Sequence, residues 1–413
     1  MSKRILFVDD EPMVLSGLQR SLRSMREEWE MAFVTSGSEA LQIMERQPFD
    51  IIVTDMRMPV MTGAELLEQV KSRFPQCFRI ILSGQADQQT ILRAVDPTHQ
   101  YLAKPCDTTE LKKRLARAFA VRGLLKNEEL QAVVSRLQAL PSLPSLFLEV
   151  TQELENSEPS LPRIACLVSE DMAMTAKILQ LVNSAFFGLR CRISSPMQAV
   201  QLLGLDTLRA LVLTTHVFDK FCTHTLGEAE ISYLWKHSLA VGSFAKHIAA
   251  SEKADRQLVD DCFTAGLLHD AGKLILASAM ENKYQHVLDA IRKGGQKLIT
   301  AETEILGCSH AEVAAYLLGL WGLPEAVIDG VAWHHAPSGS IQTGFSTALA
   351  THVATVFHEQ QSPFWMQDDI SLDVDYLNRN GLAGREQDWR KVADEVASQV
   401  TPGKSSAGAQ PES

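Results

Sequence analysis

The sequence predicts a multidomain protein in which an α/β domain with a five-stranded parallel sheet is followed by an all-α domain. Two observations lead to this prediction. Short β-branched runs alternate with helical stretches over residues 1–120, and strand signals stop at about residue 108, after which apolar residues recur at helical spacing. The length of 413 residues is enough for about two to three domains of ordinary size.

Five segments near the start have the composition of buried strands. They are residues 5–8, 30–35, 51–54, 79–82 and 100–103, and the second is the weakest. Residues 13–25, 38–46 and 64–74 lie between them and carry apolar residues at helical spacing. We therefore expect residues 1–120 to form one α/β domain.

An apolar helical period continues from Leu111 to Leu137, which predicts one long helix and a helical linker over residues 121–140. This helix should end before Pro141, because proline cannot continue a helix interior. Helical segments separated by Gly and Pro follow as far as about residue 360. We assign residues 141–345 to the all-α domain, 346–400 to a C-terminal helical extension, and the Gly-, Ser- and Pro-rich residues 401–413 to a disordered tail.

Charge and cysteine content exclude several classes of protein. The net charge is -11; residues 1–123 hold 17 basic and 16 acidic side chains, and the remainder holds 22 and 34. A helical half with a charge of -12 argues against binding to nucleic acid, whose affinity comes from basic groups that neutralise phosphates. Seven scattered cysteines and the lack of any apolar run of membrane-spanning length predict a cytoplasmic protein with no membrane partner.

Acidic side chains follow two of the predicted strands at the point where each strand ends. Asp9 and Asp10 follow the first strand and Asp55 the third, while Ser83 and Lys104 end the fourth and fifth. In open parallel sheets these strand ends line the ligand crevice. Crowded carboxylates fit Mg²⁺, and a free carboxylate beside Mg²⁺ can attack phosphorus and form an aspartyl phosphate.

These residues give the first 120 positions a close resemblance to the receiver domain of two-component response regulators, whose strand order is flavodoxin-like. The motif positions that match are Asp9-Asp10, Asp55 within D-M-R-M-P, Pro59, Gly63, Ser83-Gly84, Tyr101 and Lys104-Pro105. The resemblance implies that Asp55 is the phosphoacceptor. It also implies that Asp9, Asp10 and Asp55, with the backbone carbonyl of Arg57, hold Mg²⁺. By the same resemblance Ser83 and Tyr101 are the switch pair, and Lys104 contacts the phosphoryl group.

Histidines in the helical half form a second candidate site. The residues concerned are His237, His269, Asp270, His310, His334 and His335. Imidazole and carboxylate groups from several helices commonly hold a transition metal such as Fe, Mn or Zn in a helical bundle, and such a metal activates water for phosphoester hydrolysis. Taken singly, each histidine is also consistent with a hydrogen-bonded residue at a helix interface, so both interpretations stay open.

The order of these histidines resembles the HD superfamily of metal-dependent phosphohydrolases, and more closely the related HDOD output domain. The matching motifs are N-S-A-F-F-G at 183–188, W-K-H-S at 235–238 and L-H-D-A-G-K at 268–273. HD hydrolases close their metal site with a later aspartate, whereas Thr355 stands at the equivalent position here, with Asp329 or Glu312 as candidate replacements. His335 is followed by Ala336-Pro337-Ser338 and not by a G-Y-P motif, which disfavours hydrolysis of cyclic di-GMP.

We therefore expect a response regulator of phosphorelay signal transduction. A sensor histidine kinase phosphorylates Asp55, and the HDOD module then binds or releases an unidentified protein partner. The alternative is a receiver-gated, metal-dependent HD-type phosphohydrolase, with a nucleotide as one candidate substrate. A third hypothesis is that the receiver serves as a dimerisation switch and that the protein forms a homodimer.

Overall fold

A computed structural model of the chain describes residues 3–83, 98–104, 106–137, 144–156, 158–183, 192–214, 225–368 and 370–400. Most of the N-S-A-F-F-G motif and the predicted tail at 401–413 lie outside the described residues. No helix in the described ranges is long and apolar enough to cross a lipid bilayer.

The N-terminal domain is built on a five-stranded parallel sheet, as the sequence predicts. The strands are β1 (Lys3–Val8), β2 (Trp29–Val34), β3 (Ile51–Asp55), β4 (Phe78–Ser83) and β5 (Gln100–Ala103), in the order β2-β1-β3-β4-β5. This is the flavodoxin-like order, and it places β1 and β3 side by side in the middle. Strand β3 is buried along its whole length, as expected for a sheet with both faces covered.

Four helices of this domain lie within the described residues: α1 (Pro12–Ser21), α2 (Gly37–Arg46), α3 (Gly63–Arg73) and α4 (Thr108–Leu124). Side chains cap two of them. Ser36 accepts a hydrogen bond from the backbone N–H of Glu39 at the start of α2, and Thr62 and Glu65 form a reciprocal capping box at the start of α3. The cap fixes the start of α3 next to the end of β3.

The single long helix predicted to join the two halves is instead two helices. Helix α4 ends at Leu124, and α5 spans Glu128–Val134. Leu125 between them has an extended backbone and a fully buried side chain. Asn127 then caps α5 by accepting from the N–H of Leu130 at 3.1 Å and donates to the carbonyl of Leu306 at 2.9 Å. The prediction was wrong because burial of Leu125 and this cap turn the chain back onto the helical domain.

The rest of the chain is all-α, as predicted. Its helices are α6 (Pro144–Glu155), α7 (Leu161–Ser169), α8 (Met172–Val182), α9 (Pro196–Thr214), α10 (Glu228–Ser251), α11 (Arg256–Leu268), α12 (Ala271–Ala279), α13 (Glu281–Gly294), α14 (Leu298–Leu306), α15 (His310–Leu320), α16 (Glu325–Ala332), α17 (Thr347–Gln361), α18 (Val374–Arg379) and α19 (Glu386–Val400). Helix α10 packs closely on α11, where a Cβ on Gly266 would lie 2.7 Å from the Cα of Gly242. The short spacing requires glycine at this crossing.

Helix α17 belongs to the core of the helical domain, although the sequence assigned it to an extension that begins at residue 346. It packs against α10, α11 and α16. Phe357 on α17 is fully buried in a hydrophobic cluster that also contains Trp389 from α19. The helical domain therefore extends beyond residue 345, since its core needs the apolar face of α17.

The two domains share one continuous hydrophobic core. Helix α4 packs on α15, and Leu115, Ala118 and Val121 on α4 are buried. A Cβ on Gly319 of α15 would lie 2.6 Å from a methyl group of Val121, so the two helices approach closely. Gln100 of β5 also donates a hydrogen bond to the carbonyl of Gly319 at 3.1 Å. The N-terminal domain is therefore docked on the helical domain through α15.

Candidate functional site

The first site is a pocket at the strand ends of the N-terminal domain, here called the acidic pocket and defined by Asp9, Asp10, Asp55 and Lys104. The Nζ of Lys104 donates to Asp9 Oδ2 at 2.8 Å and also to Asp55 Oδ1. Asp9 and Asp55 are buried, with 2% and 8% of their surface exposed, and Asp10 is half-buried at the same strand end. The predicted carboxylates of β1 and β3 thus share one lysine.

Backbone groups hold Asp55 from the other side. Its Oδ2 accepts a hydrogen bond from the N–H of Arg57 at 2.6 Å. A Cβ on Gly63 would lie 2.0 Å from the carbonyl oxygen of Asp55, so a glycine is required where α3 begins. These contacts fix the orientation of the Asp55 carboxylate at the carboxyl-terminal edge of the sheet.

The surroundings of Lys104 in the acidic pocket favour its protonated form. Partial burial lowers the pKa of Lys104, but the hydrogen bonds and charges of Asp55 and Asp9 outweigh that effect and the net shift is upward. Lys104 therefore remains a cation beside the carboxylates. Carboxylate and carbonyl oxygens are the ligands that Mg²⁺ prefers, so the side chains present fit the predicted ion.

Two predicted switch residues are described only through their backbone. Ser83 is the last residue of β4 and pairs with Ala103, and Tyr101 in β5 pairs with Ile81. Their side chains lie outside the described part of the structure, so the predicted movement of the hydroxyl and the ring stays a prediction.

The second site lies inside the helical domain and is here called the histidine cluster. Its members are the six predicted residues His237, His269, Asp270, His310, His334 and His335. They come from four separate places: α10, the α11–α12 junction, the first residue of α15, and the end of α16. All except His335 are at most 2% exposed. The fold thus brings together residues that are nearly 100 positions apart in the sequence.

The histidine cluster consists of two triads, one of which contains Asp270. In one, His237 Nε2 and His269 Nε2 lie 3.2 Å apart and are 3.6 and 3.5 Å from Asp270 Oδ2. In the other, which also contains His334, His310 Nε2 and His335 Nε2 lie 2.9 Å apart. His310 Nε2 is 3.3 Å from Asp270 Oδ1. The two oxygens of one carboxylate therefore face opposite triads.

Groups behind the rings aim several nitrogens into the cluster. His269 Nδ1 donates to the carbonyl of Gly266 and His334 Nδ1 to that of Val331, each at 2.7 Å. Because Nδ1 carries the proton in both rings, the neutral tautomer leaves a lone pair on Nε2. His334 Nε2 is buried without a hydrogen-bond partner. This is the orientation that metal-binding histidines adopt when an outer hydrogen bond fixes the ring.

Burial keeps most of these imidazoles uncharged. Desolvation lowers the pKa of His237, His334 and His335 well below 6.5, and neighbouring imidazoles add to the effect. His310 differs: burial opposes its charge, but Glu302, whose Oε2 is 2.7 Å from His310 Nδ1, helps to raise its pKa to about 10. Asp270 is also buried, yet the charges of its neighbours, including Lys273 at 2.9 Å, keep its pKa well below 3.8.

Thr355 and the two candidate replacements for the missing aspartate make local hydrogen bonds, and Glu312 and Asp329 belong to neither group of candidate metal ligands among the described residues. Thr355 donates its hydroxyl hydrogen to the carbonyl of Thr351 within α17. Glu312 accepts from the N–H of Ser309 in the capping box of α15, and Asp329 accepts from the hydroxyl of Ser340 at 2.7 Å. Each carboxylate is thus engaged in a local hydrogen bond, and its role as a replacement ligand stays a prediction.

Four residues near the cluster were missed by sequence reasoning as site residues. They are Lys273, Glu302, His358 and Asp368. His358 Nδ1 lies 2.8 Å from His237 Nδ1, and Asp368 Oδ2 lies 3.6 Å from His335 Nε2. Lys273 belongs to the L-H-D-A-G-K motif and was visible in the sequence. The other three carry no motif, and only packing identifies them.

The donor set of the histidine cluster suits a transition metal of intermediate softness. Five imidazoles and a shared carboxylate match the preferences of Fe, Mn or Zn, and the nitrogen and oxygen ligand atoms of each triad lie within 4.8 Å of one another. An orphaned, buried lone pair on His334 Nε2 is consistent with a cation between these groups. The residues therefore fit a metal, as well as a purely structural hydrogen-bonded network.

Two domain models match the chain, and together they cover most of it. Residues 5–116 match the response regulator receiver domain, and residues 140–337 match the HDOD domain. The structure resembles the MmoQ response regulator from Methylococcus capsulatus, with 23% identity and a TM-score of 0.47 over 62% of this chain and 98% of that one. An HDOD domain protein of unknown function from Geobacter sulfurreducens shows 25% identity and a TM-score of 0.38 over 70% and 95% of the two chains.

Two curated relatives match parts of the sequence. An uncharacterized protein of Treponema pallidum is 30% identical over 204 residues, which is 49% of this chain and 39% of that protein. The hydrogenase transcriptional regulatory protein HoxA of Cupriavidus necator is 36% identical over 122 residues, or 29% of this chain and 25% of that protein. The chain thus spans well under half the length of these relatives.

A parallel sheet with acidic strand ends, followed by a helical domain, defines a receiver protein with a helical output domain. With the two domain matches, the chain contains a response regulator receiver domain followed by an HDOD domain.

Proposed function

We propose that a sensor histidine kinase phosphorylates Asp55 of this response regulator and that helix α15 passes the resulting change to the HDOD domain. In the transfer, the P–N bond of a phosphohistidine breaks as an Asp55 oxygen forms a P–O bond. Lys104 supports this role because it already pairs with Asp55 and can follow the new charge of nearly two units. Mg²⁺ held by Asp9, Asp10, Asp55 and the Arg57 carbonyl would neutralise part of that charge.

The observation that carries the proposal is the position of α15, which touches both domains. Its first residue, His310, belongs to the histidine cluster, and Gly319 near its other end lies against Val121 and Gln100 of the receiver. An eleven-residue helix spans about 15 Å as one rigid element. A displacement of α4 or β5 should therefore be transmitted directly through α15 to His310.

A second contact supports the same route. Arg79 at the start of β4 is only 1% exposed and donates to the carbonyl of Ser135, just after α5, at 2.8 Å. The hydroxyl of Ser135 is 3.0 Å from the phenolic oxygen of Tyr316 on α15. Loss of any of these buried hydrogen bonds would leave an unsatisfied polar group, so a movement of β4 should be coupled to α15.

Hydrogen–deuterium exchange tests the proposed path. The full-length protein is treated with Mg²⁺ and acetyl phosphate, and exchange in α15 and α5 is compared with that of the Asp55→Asn variant. We expect exchange in both helices to change about fivefold or more in the wild type and to stay unchanged in the variant. Unchanged exchange in α15 at full phosphorylation of Asp55 would refute this route.

The output partner is proposed to be a protein. The region after residue 123 has a net charge of -12 and no basic stripe, which disfavours a nucleic acid. Phosphorylation and partner binding must affect each other equally, because both bias the same two arrangements. A partner that prefers one arrangement should therefore shift the equilibrium for phosphorylation of Asp55.

Dimerisation is the third proposal, in which the receiver controls association of two copies. Light scattering of the wild type with acetyl phosphate and Mg²⁺ would then show a change in mass. The Asp55→Asn variant should keep its mass under the same conditions, and an equal mass for both proteins would exclude this switch.

The arrangement of two triads around Asp270 favours one other candidate, a metal-dependent phosphohydrolase gated by the receiver. A bound transition metal would activate water and stabilise charge on a phosphoester. Metal content and hydrolysis of bis(p-nitrophenyl) phosphate, measured for the wild type and His269→Ala, test this candidate. Absence of stoichiometric Fe, Mn or Zn, together with equal turnover in the two proteins, would eliminate it.

A further inference from the structure

A short segment after α17 covers the histidine cluster. This segment, residues 362–368, is here called the strap. Phe364 in the strap stacks on Tyr233 with ring centroids 4.0 Å apart, and Tyr233 in turn stacks on His237 at 5.5 Å. The strap is therefore laid over the cluster through an aromatic stack.

Hydrogen bonds hold the strap in this position. The side chain of Gln367 donates to the hydroxyl oxygen of Tyr233 at 2.5 Å and to the carbonyl of Ser362 at 2.7 Å, while its own carbonyl oxygen accepts from the N–H of Phe364 at 2.8 Å. These hydrogen bonds fix the conformation of the strap over the histidine cluster. Its last residue, Asp368, enters the domain interior.

Asp368 has one satisfied and one unsatisfied oxygen. Its Oδ1 accepts from the N–H of Ile299 at the start of α14 at 2.7 Å. Its Oδ2 is buried without a hydrogen-bond partner, and it lies 3.6 Å from His335 Nε2 and 3.9 Å from Lys273 Nζ. A buried carboxylate is costly unless it is paired or coordinates a metal. The position of Oδ2 therefore requires an explanation.

Lys273 does not satisfy this oxygen. Its ammonium group is 2.9 Å from Asp270 Oδ2, and at 3.9 Å it is beyond hydrogen-bond distance of Asp368. Glu359 also lies nearby, since its Oε1 is 3.4 Å from the N–H of Asp368, and its Oε2 is itself unpaired. Two acidic side chains thus lie next to a lysine that is already hydrogen-bonded to a third.

We propose that Asp368 is a metal ligand, which completes a site for a divalent transition cation with His310, His334 and His335. The assignment rests on the metal candidate described above and is independent of the phosphorylation of Asp55. Three imidazoles and a carboxylate form a donor set for Fe²⁺, Mn²⁺ or Zn²⁺. Asp368 supplies from the strap the anionic ligand that the neutral hydroxyl of Thr355 cannot supply from α17.

The proposal links the metal to the position of the strap. Because Asp368 Oδ1 remains on the N–H of Ile299, a cation on Oδ2 ties the strap to α14 and to the end of α16 at the same time. Binding of the cation should therefore slow hydrogen exchange in residues 362–368. A purely structural Asp368 would show no such dependence on metal.

The test is a metal titration of the full-length protein after treatment with a chelator. Mn²⁺ or Zn²⁺ is added in the presence of excess Mg²⁺, which occupies the acidic pocket, and bound metal is counted by mass spectrometry. The variant is Asp368→Asn, which keeps the acceptor for Ile299 and removes the charge at Oδ2. We expect its affinity for the cation to fall about 10- to 100-fold or more, and strap protection by metal to be lost.

Two further variants separate the outcomes. Asp329→Asn removes a half-buried carboxylate outside the cluster and should bind metal like the wild type. His269→Ala disrupts the opposite triad and should leave the strap protected by metal. If Asp368→Asn binds metal within twofold of the wild type, Asp368 is not a ligand, although the metal candidate survives. If the wild type binds no transition metal, both the assignment of Asp368 as a metal ligand and the metal-dependent phosphohydrolase candidate are refuted.

Discussion

His99 is expected to make the junction between the two domains sensitive to acid. It lies just before β5 and is buried, with 7% of its surface exposed. Its Nδ1 accepts from the N–H of Arg79 at 3.1 Å, and its Nε2 lies 2.7 Å from the guanidinium of Arg79 and 3.4 Å from the carbonyl of Ser135. Both ring nitrogens thus face Arg79, which leaves no favourable place for a second proton.

The pKa of His99 is correspondingly shifted downward. Desolvation lowers it well below 6.5, and the positive charges of Arg79, Lys71 and Arg122 act in the same direction. The neutral ring is therefore the folded form. Above pH 6.5 folded and unfolded states are both neutral, and the group makes no pH-dependent contribution. Below pH 6.5 only the unfolded state takes up the proton, so the free energy of unfolding falls by about 1.4 kcal/mol per pH unit.

Urea denaturation at pH 7.5 and pH 5.0 measures this effect. Integration over the interval predicts that His99 costs the wild type about 2 kcal/mol at pH 5.0. The His99→Asn variant retains an acceptor for the N–H of Arg79 but does not titrate. Between pH 7.5 and pH 5.0 its free energy of unfolding should therefore fall by about 2 kcal/mol less than that of the wild type. The other buried histidines are the same in both proteins and cancel in the difference. An equal loss of stability in the two proteins would refute the argument.

Three substitutions at sterically restricted positions give further predictions. Gly63→Ala places a Cβ 2.0 Å from the carbonyl oxygen of Asp55 and should cost more than about 3 kcal/mol, with loss of labelling by acetyl phosphate. Gly319→Ala presses on the methyl groups of Val121 and should destabilise the docked domains by about 1–3 kcal/mol in thermal unfolding. Val60→Asn should stabilise by about 1 kcal/mol in urea denaturation, because Val60 is fully exposed at a φ of 69°.

Matched variants control these three measurements. Gly17→Ala on α1 meets no atom within 4 Å and should stabilise slightly, since alanine favours a helix over glycine. Val121→Ala combined with Gly319→Ala should recover part of the lost stability, because it removes the methyl groups in the way. Equal destabilisation by Gly63→Ala and Gly17→Ala, or a destabilising Val60→Asn, would show that the steric reasoning is wrong.

The acidic pocket was predictable because its geometry follows from the order of the strands. Parallel strands end at a common edge, so a residue at the end of each strand has a known neighbour once the strands are recognised. Asp9, Asp55 and Lys104 meet as this rule requires. The six members of the histidine cluster were found in another way, through motifs whose spacing resembles a known family.

The break between α4 and α5 was not predictable from periodicity. The apolar pattern from Leu111 to Leu137 suits one helix, and Leu125 occupies an apolar position in either arrangement. The deciding interactions are the burial of Leu125 and the hydrogen bond of Asn127 to Leu306, which lies nearly 180 residues away. Such tertiary contacts override local helix propensity.

The sequence by itself determined the domain class, the strand order, the acidic pocket and the histidines of the second site, because these features are local or carried by motifs. Only the tertiary structure decided which carboxylates serve the histidine cluster. Glu302 and Asp368 reach it through packing of α14 and the strap, whereas Glu312 and Asp329 are held by Ser309 and Ser340. Packing of the core brings side chains on separate helices into contact, and these contacts cannot be predicted from the spacing of the residues along the chain.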